Sequence, residues 1–130
     1  MIVVDASAAL TGLLNDGPAR RLLASERLHA PYLVDSEVSN ALRRRVRAGQ
    51  LTSDQGWAAL DTWRRLALTR YPAHGMLDRI WGLRDNLSAY DATYVALAEN
   101  LNCALVTADE RLSRAGHAAE FQCSVTIVPR

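Results

Sequence analysis

The chain opens with a β-branched run, Ile2, Val3 and Val4, that ends in Asp5 and passes without a turn into Ala-Ser-Ala-Ala-Leu, a helix-forming sequence. A strand feeding directly into a helix N-terminus is how a parallel α/β unit begins, because parallel strands need a long crossover and a helix supplies it compactly. The alternation continues downstream. Residues 19–26 and 34–48 read as helices on either side of a short strand at 28–31, with Gly17-Pro18 breaking the first helix and Gly49 ending the helix at 34–48. Thr52-Ser53-Asp54 caps a helix on which Trp57, Leu60, Trp63 and Leu66 recur at roughly helical spacing. Residues 67–71 then read as a strand and 76–84 as a helix; Ser88 starts the helix that carries Asp91, and 103–107 and 125–128 are the last two strands. This order predicts a parallel sheet covered by helices on both faces and joined by right-handed crossovers.

With 130 residues, 49% of them hydrophobic, the chain has enough material to bury roughly two-thirds of its unfolded surface. A single domain over 1–130 is the expectation, since no repeat, linker or low-complexity segment interrupts it. Fifteen basic and 14 acidic residues leave a net charge of +1, so bulk charge points to neither a nucleic acid nor a membrane. All the basic residues are arginine, which excludes Schiff-base, Walker-type and Ser-Lys mechanisms. Cys103 and Cys123 fall in apolar strand-like segments without CxxC spacing and read as buried free thiols. No basic-then-apolar leader is present, and no stretch approaches the roughly 20 apolar residues of a membrane span, so the expected location is the cytosol.

Four carboxylates, Asp5, Glu37, Asp91 and Asp109, each fall where an apolar strand or helix face ends. Sheets of this kind hold their sites at the carboxyl ends of the strands. Asp5 ends the first strand and Asp109 follows the 103–107 strand by two residues; as neighbours these strands lie about 4.8 Å apart. Acidic groups gathered there lose hydration and repel one another unless a cation neutralises them, which points to a divalent metal. Each residue also has a plainer role. Asp5 and Asp109 suit helix N-caps. Asp91 shares a helix face with Tyr94, Val95 and Ala98, which turns a carboxylate toward the core, and it equally suits a capping box with Ser88. Glu37 and Asp35 flank opposite edges of the stripe made by Val34, Val38, Ala41 and Leu42, and spacing does not choose between them; a solvated flank describes either.

Arg43, Arg44, Arg45 and Arg47 form the only dense basic run, near a helix C-terminus where cations complement the dipole. Arg44 lies seven residues after Glu37 on nearly the same face, about 10 Å further along the axis, which suits a phosphate next to one at the metal. Trp57, Trp63 and Trp81 are expected to anchor a core or an interface. His29, His74 and His117 have no metal-like mutual spacing.

Taken in order, the segments VVDASAAL, DSEVSNALRR, LSAYDATYVALAE and LVTADERL resemble the PIN domain, and specifically the VapC-type toxin ribonucleases. The resemblance covers essentially the whole chain, and four acidic fragments in this order are far more specific than any one. It implies an α/β three-layer sandwich with a five-stranded parallel sheet flanked by helices and an acidic pocket at the sheet's carboxyl edge. Matched residue by residue, Asp5, Glu37, Asp91 and Asp109 fall on the family's acidic quartet, which selects Glu37 over Asp35, with Ser7 and Thr107 as polar neighbours of the pocket.

The activity so implied is endonucleolytic cleavage of RNA dependent on Mg²⁺ or Mn²⁺, with water as nucleophile. Asp5 and Asp91 would be the main metal ligands, Asp109 would share a metal directly or through water, and Glu37 would orient the nucleophilic water or complete a second site. Arg43 and Arg44 are the candidate RNA contacts. The implied partners are a VapB-like antitoxin, lying over the helices at 34–48 and 57–66, and a second copy of the chain in a homodimer. A response-regulator receiver would need an acidic pair after the first strand and a late lysine, and a haloacid-dehalogenase-type phosphatase would need an acid where Ser7 stands. The remaining alternative is a PIN-like module that binds RNA or a partner without cutting; an intact quartet argues against it.

Overall fold

The computed structural model describes residues 1–130. Five strands, β1 (Ile2–Val4), β2 (Leu28–Pro31), β3 (Leu68–Tyr71), β4 (Ala104–Thr107) and β5 (Val125–Ile127), form one all-parallel sheet in the order β3-β2-β1-β4-β5. The helices are α1 (Ala6–Leu14), α2 (Pro18–Ser25), α3 (Leu33–Arg47), α4 (Ser53–Arg65), α5 (Leu77–Gly82), α6 (Ala89–Leu101) and α7 (Glu110–Ala119). They pack in two groups that flank the sheet: α1 lies against α2 and α3 with α4 on α3, whereas α6 lies against β1, β2 and β4 and carries α5.

This strand order places the site. The chain winds outward from β1 through β2 to β3, then returns to the other side of β1 as β4, so β1 and β4 flank the point where the winding reverses. Crevices open at such switch points because the helices on either side leave in opposite directions. The register pairs Ile2 with Ala104, Val3 with Leu105 and Val4 with Val106, so Asp5 and Thr107 leave the sheet side by side.

The core is a cluster of 29 buried residues, dominated by Ile, Val, Leu and Ala of β1, β4, α1 and α6. Strands β1 and β4 are buried, while the edge strands β3 and β5 are half-exposed, as expected for a sheet that ends in solvent. Gly12 lets α1 and α2 approach closely: a Cβ there would stand 2.5 Å from Leu23 Cδ1 and 3.3 Å from the Ala19 carbonyl carbon. Gly49, at φ 76°, closes α3 as expected.

Several expectations need correction. Helix α6 is buried all round from Ala92 to Ala98 rather than along one face, because it crosses three strands and also carries α5. Helix α7 was signalled only by the N-cap reading of Asp109, which it bears out; it buries only Leu112, and it supplies the crossover that a parallel β4–β5 pair requires. The helix expected over 76–84 is a 3₁₀ turn, His74–Met76, followed by Leu77–Gly82. Trp63 is a core residue, but Trp57 and Trp81 are 56% and 68% exposed, each with an arginine, Arg64 or Arg84, stacked over its ring. The free thiols of Cys103 and Cys123 are only partly buried, since each sits at the margin of the sheet.

Candidate active site

Asp5 sits at the carboxyl end of β1 and is the N-cap of α1, as the capping reading has it. Its Oδ1 accepts from the Ala8 amide at 2.9 Å and the Ser7 hydroxyl at 2.7 Å, and its Oδ2 accepts from Thr107 Oγ1 at 2.5 Å. Ser7 and Thr107 also approach each other at 3.1 Å, and their oxygens accept the amides of Ala108 and Asp109. The two hydroxyls thus tie the start of α1 to the loop after β4. Asp5 is only 7% exposed, and burial raises its pKa against the lowering effect of these three donors, with Asp91 adding to the rise.

Glu37 reaches the same crevice from α3. Its Oε1 accepts from the hydroxyl of buried Tyr94 on α6 at 2.5 Å, and its pKa is raised by burial and by the charges of Asp91 and Asp5. Desolvation and the adjacent Glu37 carboxylate drive the Tyr94 pKa far upward, so the phenol stays protonated and donates. Asp35, its rival in the sequence, points elsewhere. It accepts from Trp63 Nε1 at 2.8 Å and from Arg70 through a two-point pair at 2.6 and 2.9 Å, which lowers its pKa. Asp35 ties α3 to α4 and β3; Glu37 faces the other acids.

Asp91 lies in the first turn of α6, where its amide donates to Ser88 Oγ at 3.2 Å. Only this half of the expected capping box forms. The Asp91 carboxyl is half-buried and its pKa is raised by desolvation and by Asp109. Asp109 caps α7 and is clasped by Arg111, whose Nη2 stands 2.6 Å from Oδ2 and whose Nε stands 3.0 Å from Oδ1; this clasp holds its pKa low. Arg111 escaped attention in the sequence because it lay outside the basic run.

The four acids therefore form a connected electrostatic set, Asp5 and Glu37 with Asp91, and Asp91 with Asp109. Every donor is an oxygen, the chemistry that suits a hard divalent cation. No three of these side chains are gathered closely enough to hold an ion as they stand. Tyr94 holds Glu37 and Arg111 holds Asp109, so an ion recruiting all four would compete with both bonds. Of the candidate phosphate contacts, Arg44 lines the groove that holds Ser7 and Glu37, whereas Arg43 lines a separate depression with Asp35, Ser36 and Ser39.

The PIN domain profile matches residues 2–118. Ribonuclease VapC9 of Mycobacterium tuberculosis (strain ATCC 25618 / H37Rv) is 65% identical over 130 residues, covering the full length of both chains. Among solved structures, the fold is similar to that of VapC20 of M. tuberculosis, described as a sarcin-ricin loop cleaving toxin, with a TM-score of 0.65 and 23% identity over 89% of this chain and 95% of that one. It is also similar to PAE2754 from Pyrobaculum aerophilum, with a TM-score of 0.71 and 23% identity over 95% of this chain and 81% of that one. The chain belongs to the PIN domain family, among its VapC-type ribonucleases.

Proposed function

We propose that this protein, a single PIN domain over its whole length, is an endoribonuclease toxin that hydrolyses RNA phosphodiester bonds with the help of Mg²⁺ or Mn²⁺ held by Asp5, Asp91 and Asp109. The observation that carries this reading is the buried Asp5, fixed by Ser7, Thr107 and the Ala8 amide at the β1/β4 switch point and facing Asp91 and Glu37. Bringing carboxylates together in a partly desolvated crevice is unfavourable for the apoprotein and favourable for a cation. A divalent ion held there by Asp5, Asp91 and Asp109 would supply positive charge to acidify a water nucleophile and to offset charge on the phosphorus centre and leaving oxygen.

The chain's own groups do the rest. Ser7 and Thr107 fix the direction of the Asp5 carboxylate, which would limit its reorganisation on binding an ion. Glu37, with Oε1 engaged by Tyr94, has Oε2 free to orient the attacking water and accept its proton, and its raised pKa favours that role. No covalent enzyme intermediate is required.

By the same reading the partner is a VapB-like antitoxin; α3 and α4 present the candidate surface, with Trp57 of α4 exposed as an anchor. A homodimer and a cytoplasmic location complete the proposal. No helix is long and apolar enough to cross a membrane.

The test is to purify the chain free of any partner, incubate it with total cellular RNA and Mn²⁺, and sequence the new 5′ ends. Cuts confined to few sites, absent with EDTA and with Asp91→Asn, are expected. Intact RNA under all conditions, from protein shown to be folded, would sink the reading.

A further inference from the structure

The groove that holds Ser7 and Glu37 continues past them, between α1 and α3, as a cleft of about 520 Å³. Ala6, Leu10 and Ala41 belong to its apolar lining. Its walls carry Asn15, Asn40, Gln50, Arg44, Arg45 and Arg130. Arg130 comes from the opposite end of the sequence; its Nε donates to the Ala108 carbonyl at 3.2 Å, and its charge helps to lower the pKa of Asp109. None of the three arginines is in an ion pair, whereas Arg64, Arg65, Arg70, Arg79 and Arg111 all are. The cleft therefore abuts the acid cluster through Glu37 and through Ser7, which is bonded to Asp5, and is otherwise lined by guanidinium groups outside any ion pair and by neutral amides.

We propose that this cleft is the RNA-strand subsite beside the cleavage point, with Arg44 and Arg130 holding the phosphodiester next to the scissile one from opposite walls and Arg45, deeper along α3, holding the one beyond. The proposal rests on the ribonuclease reading above and specifies the direction in which the substrate leaves the centre. Arg44 stands about 10 Å along α3 from Glu37, too far for the scissile phosphate itself. Guanidinium groups match phosphate oxygens in planar, two-point fashion, and the amides of Asn15, Asn40 and Gln50 supply donors and acceptors for sugar hydroxyls or base edges. Contacts of the arginine kind carry affinity without base selection. Arg43 faces a different depression and is not part of the subsite.

Binding and cutting are tested separately. Affinity is measured by fluorescence anisotropy with a labelled single-stranded RNA of mixed sequence, in EDTA, on an Asp5→Asn background over a salt series. Arg44→Gln and Arg130→Gln are each expected to weaken binding about 3- to 10-fold and to flatten the log K against log salt plot by about 0.7 per lost contact. Arg47→Gln, an equal charge change on the same helix outside the cleft, is expected to leave both quantities unchanged. Unchanged affinity and slope in Arg44→Gln and Arg130→Gln, or an equal loss in Arg47→Gln, would overturn the subsite, as would an RNA that does not bind at all. Failure of the wild-type chain to cut RNA in Mn²⁺ would instead count against the ribonuclease reading and leaves the affinity result to stand alone.

Discussion

Thr107 Oγ1 donates to Asp5 Oδ2 at 2.5 Å, joining the ends of two parallel strands whose residues are 102 positions apart in the chain. The bond exists because β1 and β4 are in register, and it sets the direction of a carboxylate that burial would otherwise leave costly and free to turn. Thr107→Val keeps the shape and removes the donor. A buried acceptor that loses its partner costs about 1–3 kcal/mol. Urea denaturation is expected to show a loss in that range, and the initial rate of RNA cleavage to fall at least tenfold. Unchanged stability and rate would mean that Thr107 merely fills space.

Acid stability should report the strain in the site. Burial raises the pKa of Asp5, and those of Glu37 and Asp91 are raised as well. A carboxyl with a raised folded pKa binds its proton more tightly when folded, so its stabilising contribution is present below the unfolded pKa and is lost as pH rises through the folded value. At neutral pH and without metal, Asp5→Asn is therefore expected to melt above the wild type, with the difference narrowing as pH falls toward about 4, the unfolded carboxyl range. Adding Mn²⁺ should raise the wild-type Tm and leave the variant unmoved. A variant that melts below the wild type at neutral pH contradicts this account.

The two acids of α3 are expected to separate cleanly. Asp35 bonds Arg70 and Trp63, so Asp35→Asn should lose about 1 kcal/mol, a modest figure because the pair is partly solvated, while the folded protein still cuts RNA. Glu37→Gln should fold normally and lose cleavage. Thermal melts beside cleavage assays on both variants decide it, and a reversed pattern would assign the catalytic role to Asp35 instead.

Arg111 would compete with a cation for Asp109, and its clasp is the main reason that the Asp109 pKa is low. In Arg111→Gln the carboxyl is released and a positive charge is removed from the crevice. Calorimetric titration of the RNA-free protein is expected to show tighter Mn²⁺ binding than in the wild type; equal or weaker binding would show that Arg111 does not obstruct the ion.

The strands, their parallel α/β order and the carboxyl-edge positions of Asp5, Asp91 and Asp109 were legible in the sequence because they depend on local pattern: a β-branched run, a helix former, an acid at the joint. Glu37 was not, because periodicity gives only an angle around α3; what separates it from Asp35 is Tyr94 in one case and Arg70 in the other, partners 57 and 35 residues away. Arg130 escaped for the same reason, since only the β4–β5 pairing and the bond to Ala108 bring it to the cleft. For the tryptophans the sequence left core and interface open; Trp63 is in the core, whereas Trp57 and Trp81 are exposed, because neither neighbour nor spacing obliged these two to be buried.

The central claim is that the carboxylates around Asp5 form a metal-dependent centre that cuts RNA. It is tested most directly by the rate of RNA cleavage as a function of Mn²⁺ for the wild type, Asp5→Asn and Asp91→Asn, each shown to be folded. Saturable, EDTA-sensitive cleavage by the wild type, with losses of at least a hundredfold in both variants, is the predicted result. Cleavage that persists in either folded variant, or that proceeds at full rate in EDTA, would contradict it.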